Sequence, residues 1–290
     1  GFIGSHLSEF FYKKYKKAKI LIYDSMTYAS HKSNIKEIQK SGRVKLFIKD
    51  VCDLNSLINL SKNVDLIVHA AAESHVDNSY LLSDKFIQTN IIGTKNVMEA
   101  SLINKIKNII HISTDEVYGE IYKGKFKENS LLKPSNPYSS SKAAAEMIVR
   151  GYIKSYKLPV KIVRPNNIYG TRQHPEKLIA GSFWCIVKNK KFTLHGNGNQ
   201  KRTFLHVNDF CEAIYTIIIK GKNFEFYNIG TNNEFKNKDI LKLICKIANI
   251  NYKKLVTKIP DRIFNDNRYS VDYRKIKKIG WKPKKFLKKR

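Results

Sequence analysis

The sequence has few cysteines and no long hydrophobic run. Its four cysteines, Cys52, Cys185, Cys211 and Cys245, are scattered and form no Cys-x-x-Cys pair. Neither a metal site nor a disulfide framework is therefore predicted, and a reducing cytosol is the expected location. No apolar run is long enough to span a bilayer and no signal-peptide pattern is present, so no membrane partner is expected.

Acidic residues are also scarce, with 24 Asp+Glu against 54 Lys+Arg and a net charge of +30. Such an excess ordinarily indicates a polyanionic partner. The lysines, however, are spread from Lys13 to Lys289, and no basic block is interleaved with stacking aromatic residues. No helix-turn-helix or zinc-finger spacing occurs either. We therefore predict no nucleic-acid partner and interpret the charge as a compositional bias that would also attract a diphosphate.

The most informative stretch is residues 109–142. An apolar run at 109–112 predicts a buried strand, and it leads into Thr114, Asp115 and Glu116. A helix predicted over 143–156 is preceded by Tyr138 and Lys142, one turn apart and on the same side. In open α/β folds the ligand crevice lies at the carboxyl ends of the strands, where the two carboxylates are placed.

These residue types suit acid–base chemistry. A tyrosine phenol has an unperturbed pKa of about 10, and the ammonium of Lys142 is expected to lower the pKa of Tyr138. Adjacent carboxylates rarely keep the same pKa, so one of Asp115 and Glu116 can act as acid and the other as base. The alternative is a solvated carboxylate pair beside an ordinary helix face. The combination of motifs favours the catalytic interpretation.

The N-terminal residues indicate a dinucleotide site. Gly1, Phe2, Ile3 and Gly4 precede an amphipathic helix, and a strand over 20–23 ends at Asp24. Glycines at such a turn let the backbone approach a pyrophosphate at the helix N-terminus. The Asp24 carboxylate can accept hydrogen bonds from a ribose and would repel a 2′-phosphate, which favours NAD over NADP. An ordinary tight turn is the alternative for the glycines alone.

The pattern begins inside the dinucleotide-binding fingerprint. Its first strand and first glycine are absent from the 290 residues. Because that strand is central in a doubly wound sheet, we expect the domain to be truncated at its N-terminus.

Further cofactor contacts are expected along the next elements. A strand predicted at 44–48 precedes Asp50 and Val51, which are candidates for contact with the adenine edge. A strand predicted at 65–70 precedes Ser74 and His75, which are expected near the sugar. The small residues Ala70, Ala71 and Ala72 would let a dinucleotide lie against the backbone, and Thr89 on a helix predicted over 83–104 joins the cofactor candidates. Asn90 of that helix is either a buried amide tying helix to strand or a catalytic group.

The second half departs from the strand–helix alternation. After a strand at 160–165, helices are predicted at 177–188, 207–220, 237–248 and 275–279, with a strand at 226–230. Segments 192–195 and 199–206 flank Gly196-Asn197-Gly198 and predict a hairpin. We expect a cofactor-binding domain at 1–165 and a smaller, mainly substrate-binding subdomain at 166–290, with some segments returning to the main sheet.

Several motifs together resemble a known family. They are Gly1-Phe2-Ile3-Gly4-Ser5-His6, His69-Ala70-Ala71-Ala72-Glu73-Ser74-His75, Ser113-Thr114-Asp115-Glu116-Val117-Tyr118-Gly119, Tyr138-Ser139-Ser140-Ser141-Lys142 and Asn166-Asn167-Ile168-Tyr169-Gly170. The chain resembles the extended short-chain dehydrogenase/reductases and, within them, the nucleotide-sugar 4,6-dehydratases acting on dTDP-glucose or UDP-glucose. Thr-Asp-Glu is the discriminating element, since related epimerases and decarboxylases lack the Asp-Glu pair. The resemblance implies an α/β, Rossmann-like doubly wound parallel sheet with a smaller C-terminal α/β subdomain.

The resemblance also implies a mechanism of internal redox. Tyr138 takes the proton of the sugar 4-hydroxyl while hydride passes from C4 to NAD+, and Glu116 removes the acidified C5 proton. Asp115 protonates the departing 6-hydroxyl, and hydride then returns to C6 and a proton to C5. Thr114 would hydrogen-bond the 4-oxygen, and Lys142 would hold the nicotinamide ribose.

Substrate contacts and a partner follow from the same resemblance. The implied substrate residues are Ser74, His75, Asn167, Lys177, Leu178, Arg202, Asn228 and Arg268. A homodimer is implied, in which the helices at 83–104 and 143–156 pair with their copies. The segment 261–269 differs from the usual dTDP-type Arg-Pro-Gly-His and looks closer to UDP-glucose enzymes that feed rhamnose synthesis.

Two other functions remain as alternatives. One is an epimerase or decarboxylase of the same superfamily. The other is an inactive fragment that binds a sugar nucleotide or a polyanion.

Overall fold

The computed structural model describes residues 1–287, which form an α/β fold. Its strands are β1 (Ile20–Asp24), β2 (Val44–Ile48), β3 (Ile67–His69), β4 (Ile109–Ile112), β5 (Val160–Pro165), β6 (Asn167–Tyr169), β7 (Phe192–His195), β8 (Lys201–His206), β9 (Phe226–Ile229), β10 (Glu234–Lys236) and β11 (Val256–Ile259). Its helices are α1 (Phe2–Lys14), α2 (Lys36–Gln39), α3 (Leu54–Leu60), α4 (Val76–Leu81), α5 (Ser83–Phe86), α6 (Gly93–Ile103), α7 (Pro137–Tyr156), α8 (Leu178–Val187), α9 (Val207–Lys220), α10 (Asn237–Ile247), α11 (Tyr252–Leu255) and α12 (Arg274–Lys278).

The main sheet has four parallel strands in the order β3-β4-β5-β9. Every residue of β4 and β5 is buried, as expected for apolar runs in a sheet covered on both faces. The fold class predicted from the sequence is confirmed. Strand β9, from the second half of the chain, returns to this sheet beside β5.

Helices cover both faces of the main sheet. Successive side chains of β4 point to opposite faces, so they belong to two different hydrophobic cores. Ile110 and Ile112 pack with residues of α1 and α9, such as Leu7 and Phe210. Ile109 faces the other way, into a core shared with α6 and α7. This two-sided burial is the doubly wound arrangement.

Strands β1 and β2 form a separate parallel pair. Among the described residues β1 pairs only with β2, and β3 pairs only with β4. Residues 20–24 and 66–70 both line a cavity of about 1950 Å³.

The hairpin predicted around the Gly196-Asn197-Gly198 turn is wrong. Strand β7 pairs in parallel with β11, whereas β8 pairs with β6 and β10 in a different sheet. Both glycines have positive φ angles, 59° and 68°, so the turn itself is present. The glycine turn is therefore present, but the two strands that flank it pair with strands distant in the sequence and not with each other.

The helix predicted over 83–104 consists of three consecutive segments. Between α5 and α6 lies a π-helical segment, Ile87–Ile92, which contains Asn90. At the start of α6, a Cβ on Gly93 would approach Val51 Cγ2 to 2.5 Å, so this position needs a glycine for the contact with Val51. The helices at 207–220 and 237–248 are confirmed within one residue.

No helix within residues 1–287 combines the length and the apolar character needed to cross a membrane.

Candidate active site

The site forms where β4, β5 and α7 meet. Thr114 lies two residues after β4 and caps a 3₁₀ helix, Asp115–Tyr118, through its side-chain oxygen. On the far side, Asn136 caps α7 and accepts a hydrogen bond from the backbone of Ser139, with Pro137 in the first turn. Because β4 and β5 are parallel and in register, the residues after both strands lie at the same edge.

Asp115 occupies the interior of this edge and is only 2% exposed. Asn166 Nδ2, just after β5, donates a hydrogen bond to Asp115 Oδ2 at 2.7 Å. Burial, together with the neighbouring negative charge of Glu116, raises the pKa of Asp115 to about 7. The carboxyl can therefore carry a proton at neutral pH, as a general acid requires.

Glu116 is half-buried and lines the cavity beside Asp115. Burial raises the pKa of Glu116, while the positive charges of Arg202 and Lys177 act in the opposite direction. These two cations come from the second half of the chain, so the charge state of the site depends on both halves.

Tyr138 lies in the first turn of α7, is buried and lines the same cavity. Burial and the carboxylate of Glu116 raise the pKa of Tyr138 far above its usual value, and the Thr114 hydroxyl opposes them. The phenol is therefore protonated at neutral pH.

The expectation that Lys142 lowers the pKa of Tyr138 is wrong for this structure. Lys142 Nζ donates a hydrogen bond to Ile112 O at 2.8 Å, at the end of β4. Burial lowers the pKa of Lys142 to about 8, against the raising effect of Glu146. The ammonium is thus engaged by the strand backbone, and burial of the phenol outweighs its presence.

All residues that the sequence analysis proposed for cofactor binding line this one cavity. They are Gly1, Phe2, Ile3, Gly4, Asp24, Asp50, Val51, Ala70, Ala71, Ala72, Thr89, Tyr138 and Lys142. The catalytic candidates Thr114, Asp115 and Glu116 line it too, as do Ser74, His75, Asn167, Lys177, Leu178 and Arg202 from the substrate group. The predicted cofactor residues, the catalytic candidates and six of the eight implied substrate residues therefore lie on the wall of one large cavity.

The cavity wall offers hydrogen-bonding atoms that the described residues leave without a protein partner. Ser113 Oγ, His75 Nδ1 and Asn167 Oδ1 are buried atoms of this kind, and all three residues line the cavity. At its other end, Asp24 accepts hydrogen bonds from Met26 N at 2.7 Å and Ser30 Oγ at 3.1 Å. Such a wall fits a ligand rich in hydroxyl and phosphate groups.

Comparison with known proteins assigns the family. A sequence model described as GDP-mannose 4,6 dehydratase matches residues 1–289. The dTDP-D-glucose 4,6-dehydratase of Dictyostelium discoideum is 38% identical, over 97% of this chain and 76% of that protein. The chain belongs to the nucleotide-sugar 4,6-dehydratase family.

Other relatives agree with this assignment. A trifunctional UDP-glucose 4,6-dehydratase, 3,5-epimerase and reductase of Arabidopsis thaliana is 39% identical over 97% of this chain, which spans only 43% of that protein. The crystal structure of DesIV, a dTDP-glucose 4,6-dehydratase from Streptomyces venezuelae with NAD bound, has a TM-score of 0.96 and 34% identity, covering 99% of this chain and 90% of that one. A UDP-glucuronic acid 4-epimerase from Bacillus cereus shares the fold, with a TM-score of 0.93 over 99% and 92% of the two chains, at 25% identity.

Two of the substrate residues implied by the family resemblance, Asn228 and Arg268, do not line the cavity. Asn228 is fully buried, accepts a hydrogen bond from the Tyr118 hydroxyl at 2.8 Å and donates to the carbonyl oxygens of Phe126 and Asp272. It ties β9 to neighbouring loops.

Arg268 is likewise engaged elsewhere. Its Nε donates to Glu234 Oε1 at 2.8 Å, and its Nη1 donates to the carbonyl oxygen of Gly124 at 3.0 Å. Neither Arg268 nor Asn228 lies on the wall of the dehydratase cavity.

The structure settles the two interpretations of Asn90 in favour of a tie between elements. Its Oδ1 accepts from Glu73 N at 2.9 Å, and its Nδ2 donates to Glu73 O at 3.0 Å and to Ser141 Oγ at 2.8 Å. Asn90 is fully buried. It joins the loop after β3 to α7 of the dehydratase fold.

Sequence reasoning missed several residues of the site. Asn166 was passed over in favour of Asn167, although the register of β4 and β5 places both asparagines at the catalytic edge. Asp77 and Arg262 also line the cavity, and Arg262 Nε lies 2.6 Å from Asp77 Oδ1. No sequence signal links residues 185 positions apart, so that pair could be found only from coordinates.

Proposed function

We propose that this chain converts a nucleoside-diphosphate glucose into the 4-keto-6-deoxy sugar nucleotide and water, using NAD as an internal hydride carrier. The observation that carries the proposal is the meeting of Tyr138, Asp115 and Glu116 on one cavity wall, with the pKa of Asp115 raised to about 7. An epimerase needs no acid for a departing hydroxyl, so a protonated carboxyl at this position favours dehydration.

The cavity residues fit NAD. The N-terminus of α1, preceded by Gly1, is suited to the pyrophosphate because its free backbone N–H groups and its dipole favour an anion. Asp24 would accept hydrogen bonds from the adenosine ribose, and Ala70–Ala72 allow close approach of the dinucleotide. When bound, NAD+ accepts and returns the hydride, and its positive charge in the same cavity favours the phenolate of Tyr138.

Tyr138 removes the proton of the sugar 4-hydroxyl, and Thr114 orients the 4-oxygen. Lys142 holds the nicotinamide ribose. Its contact with Ile112 O leaves two of the three ammonium protons free to donate to that ribose.

Elimination is divided between the two carboxyl groups. Glu116 removes the C5 proton, which the 4-ketone has acidified, and a proton returns to C5 when the hydride adds to C6. Asp115 gives its proton to the departing 6-hydroxyl, so that the oxygen leaves as water. Asn166 holds Asp115 in place, since its amide donates to the carboxyl oxygen at 2.7 Å.

The sugar nucleotide is held by the remaining wall residues, Ser74, His75, Asn167, Lys177, Leu178 and Arg202. Arg202 packs 4.4 Å from the ring centroid of Tyr269, and a guanidinium is well suited to the diphosphate. Residues 1–165 form the cofactor-binding domain, and the region after 165 supplies most of the substrate wall. The last three residues of the expected subdomain lie outside the described chain.

A homodimer forms through the exposed apolar side chains of the helices at 83–104 and 143–156. Five apolar residues of these helices are each 40–59% exposed: Ile87, Ile92, Ile103, Met147 and Tyr156. An apolar surface of this kind is typical of protein–protein contacts. The four cysteines are free thiols, which supports a cytosolic location.

The test is to incubate the protein and NAD with UDP-glucose or dTDP-glucose and to measure the product mass. A product lighter by one water is expected with at least one nucleotide. Asp115→Asn and Glu116→Gln should each abolish that product while NAD still binds. The side chains of Asp239 and Glu37 are 46% and 78% exposed, so Asp239→Asn and Glu37→Gln serve as matched controls and should leave turnover unchanged. A product of unchanged mass would indicate an epimerase instead.

A further inference from the structure

A hydrogen bond between two distant loops closes the rim of the cavity. The Tyr28 hydroxyl donates to Glu176 Oε2 at 2.8 Å, across a separation of 148 residues. Tyr28 lies in the loop after β1, and Glu176 lies just before α8. Thr27 and Ala29 on either side of Tyr28 line the cavity, and so does Glu176. The contact therefore joins the two sides of the cavity at its edge.

The Tyr28 loop is tied to the proposed adenosine end of the site. Met26 N and Ser30 Oγ both donate to Asp24 Oδ1, at 2.7 Å and 3.1 Å. Movement of Tyr28 away from Glu176 would thus loosen the loop that surrounds Asp24.

The opposite side of the rim is tied to the substrate wall. His174 packs edge-on against the Tyr28 ring, with centroids 5.2 Å apart, and its Nδ1 lies 3.5 Å from Glu176 Oε2. Lys177 follows Glu176 in the chain, and its Nζ lies 3.6 Å from Glu176 Oε1. The same Nζ donates a hydrogen bond to Ser74 O at 2.7 Å. One short segment therefore contacts both the loop after β1 and the loop after β3.

The two partners of this hydrogen bond differ in exposure. The Glu176 side chain is only 10% exposed, although the Tyr28 residue is 45% exposed. Burial and the hydrogen bond to Glu176 raise the pKa of Tyr28, so the phenol remains a donor throughout the neutral range.

We propose that Tyr28 and Glu176 form a clasp that keeps the dinucleotide in its cavity between turnovers. This inference rests on the proposed function, because it assumes that the cavity holds NAD. Both are positioning residues: Tyr28 acts through the Asp24 loop, and Glu176 acts through Tyr28. Retention matters because the same NAD must first take and then return the hydride.

The experiment measures release of NADH from the intact chain by stopped-flow fluorescence, using excess NAD+ to prevent rebinding. Tyr28→Phe removes only the hydroxyl and should release NADH about tenfold faster, as the loss of one hydrogen bond predicts. Tyr122→Phe is the matched control, because the Tyr122 hydroxyl also donates to a glutamate, Glu120 Oε1, at 2.7 Å, outside this cavity. Its release rate should equal that of the unsubstituted chain.

A second comparison separates the clasp from a general loosening of the fold. In a Glu176→Ala background, Tyr28→Phe should cause no further acceleration, since the two changes remove the same bond. The thermal midpoint without dinucleotide should stay within about 2 °C for Tyr28→Phe, as for other exposed positions. Equal rates of NADH release from Tyr28→Phe, Tyr122→Phe and the unsubstituted chain would overturn the proposed clasp and leave the proposed function intact. Failure of the unsubstituted chain to bind NADH would overturn both.

Discussion

Asp115 is the residue whose surroundings decide its chemistry. Its burial and its neighbour Glu116 raise its pKa to about 7, whereas an exposed aspartate would be fully ionised at neutral pH. The adjacency of two carboxylates is visible in the sequence. The assignment of the acid depends on which one is buried against Asn166, and that depends on the strand register.

The pH dependence of elimination follows from this pKa. A general acid must be protonated, and a carboxyl with a pKa of about 7 is half protonated near pH 7 and loses its proton above it. The single-turnover rate of water loss should therefore fall as pH rises through about 7, and by about tenfold for each further pH unit above 8. A rate that stays constant from pH 6 to pH 9 would show that Asp115 is not the acid.

Other residues show where sequence reasoning reaches its limit. Thr114, Asp115, Glu116, Tyr138 and Lys142 could be predicted because their spacing follows from one strand and one helix. Their location on a common wall agrees with that prediction. The lowered pKa expected for Tyr138 was wrong because burial cannot be read from a spacing of four residues.

Asn228 and Arg268 show a second limit. Both match positions implied by the family resemblance, yet both are engaged in hydrogen bonds away from the cavity. A motif indicates which residue is present, whereas the direction of its side chain depends on partners that are far away in the sequence.

At the level of elements, the turn after the 3₁₀ helix fixes the position of the two carboxyl groups. Gly119 has a φ of 76°, and a Cβ at this position would lie 2.2 Å from Lys133 O. Lys133 N in turn donates to Val117 O at 3.0 Å, so this backbone cannot move without disturbing the turn. Only glycine fits here.

Gly119→Ala should therefore lower the free energy of unfolding by about 2–4 kcal/mol and reduce turnover. Gly124→Ala is the matched control, because its φ is 78° but nothing lies within 4 Å of the added Cβ, so only about 1–2 kcal/mol should be lost. Urea unfolding of both variants gives the comparison. Equal losses would mean that the contact with Lys133 does not restrict the turn.

Elements differ in how far the sequence defines them. Buried strands such as β4 and β5, and amphipathic helices such as α9, could be located because their hydrophobic periods are clear. The pairing of β7 with β11 could not, since more than fifty residues separate them and the local turn signal favoured a neighbour.

At the scale of the whole molecule, the parallel, doubly wound character of the main sheet could be predicted from alternating strands and helices, whereas the strand order could not. The return of β9 to the sheet was expected only in general terms. The rim contacts, including Tyr28 with Glu176, depend on three loops meeting and leave no pattern in the sequence.

The proposed dimer is tested by placing a charge on its surface. Met147 is 47% exposed on α7, and Met147→Asp should shift the protein from dimer to monomer in sedimentation velocity, because an unpaired carboxylate would be buried at the contact. Ile219→Asp, at a 56% exposed position on α9, is the control and should leave the dimer unchanged. Monomers in the unsubstituted protein at micromolar concentration would contradict the proposed interface.

The most direct measurement follows a single hydrogen through the reaction. UDP-glucose or dTDP-glucose carrying deuterium at C4 is converted with the protein and NAD, and the product is examined by mass spectrometry and NMR. Internal redox predicts a 4-keto-6-deoxy product that has lost one water and carries the deuterium at C6. A dehydrated product without deuterium at C6, or deuterium that accumulates on NADH, would contradict the account.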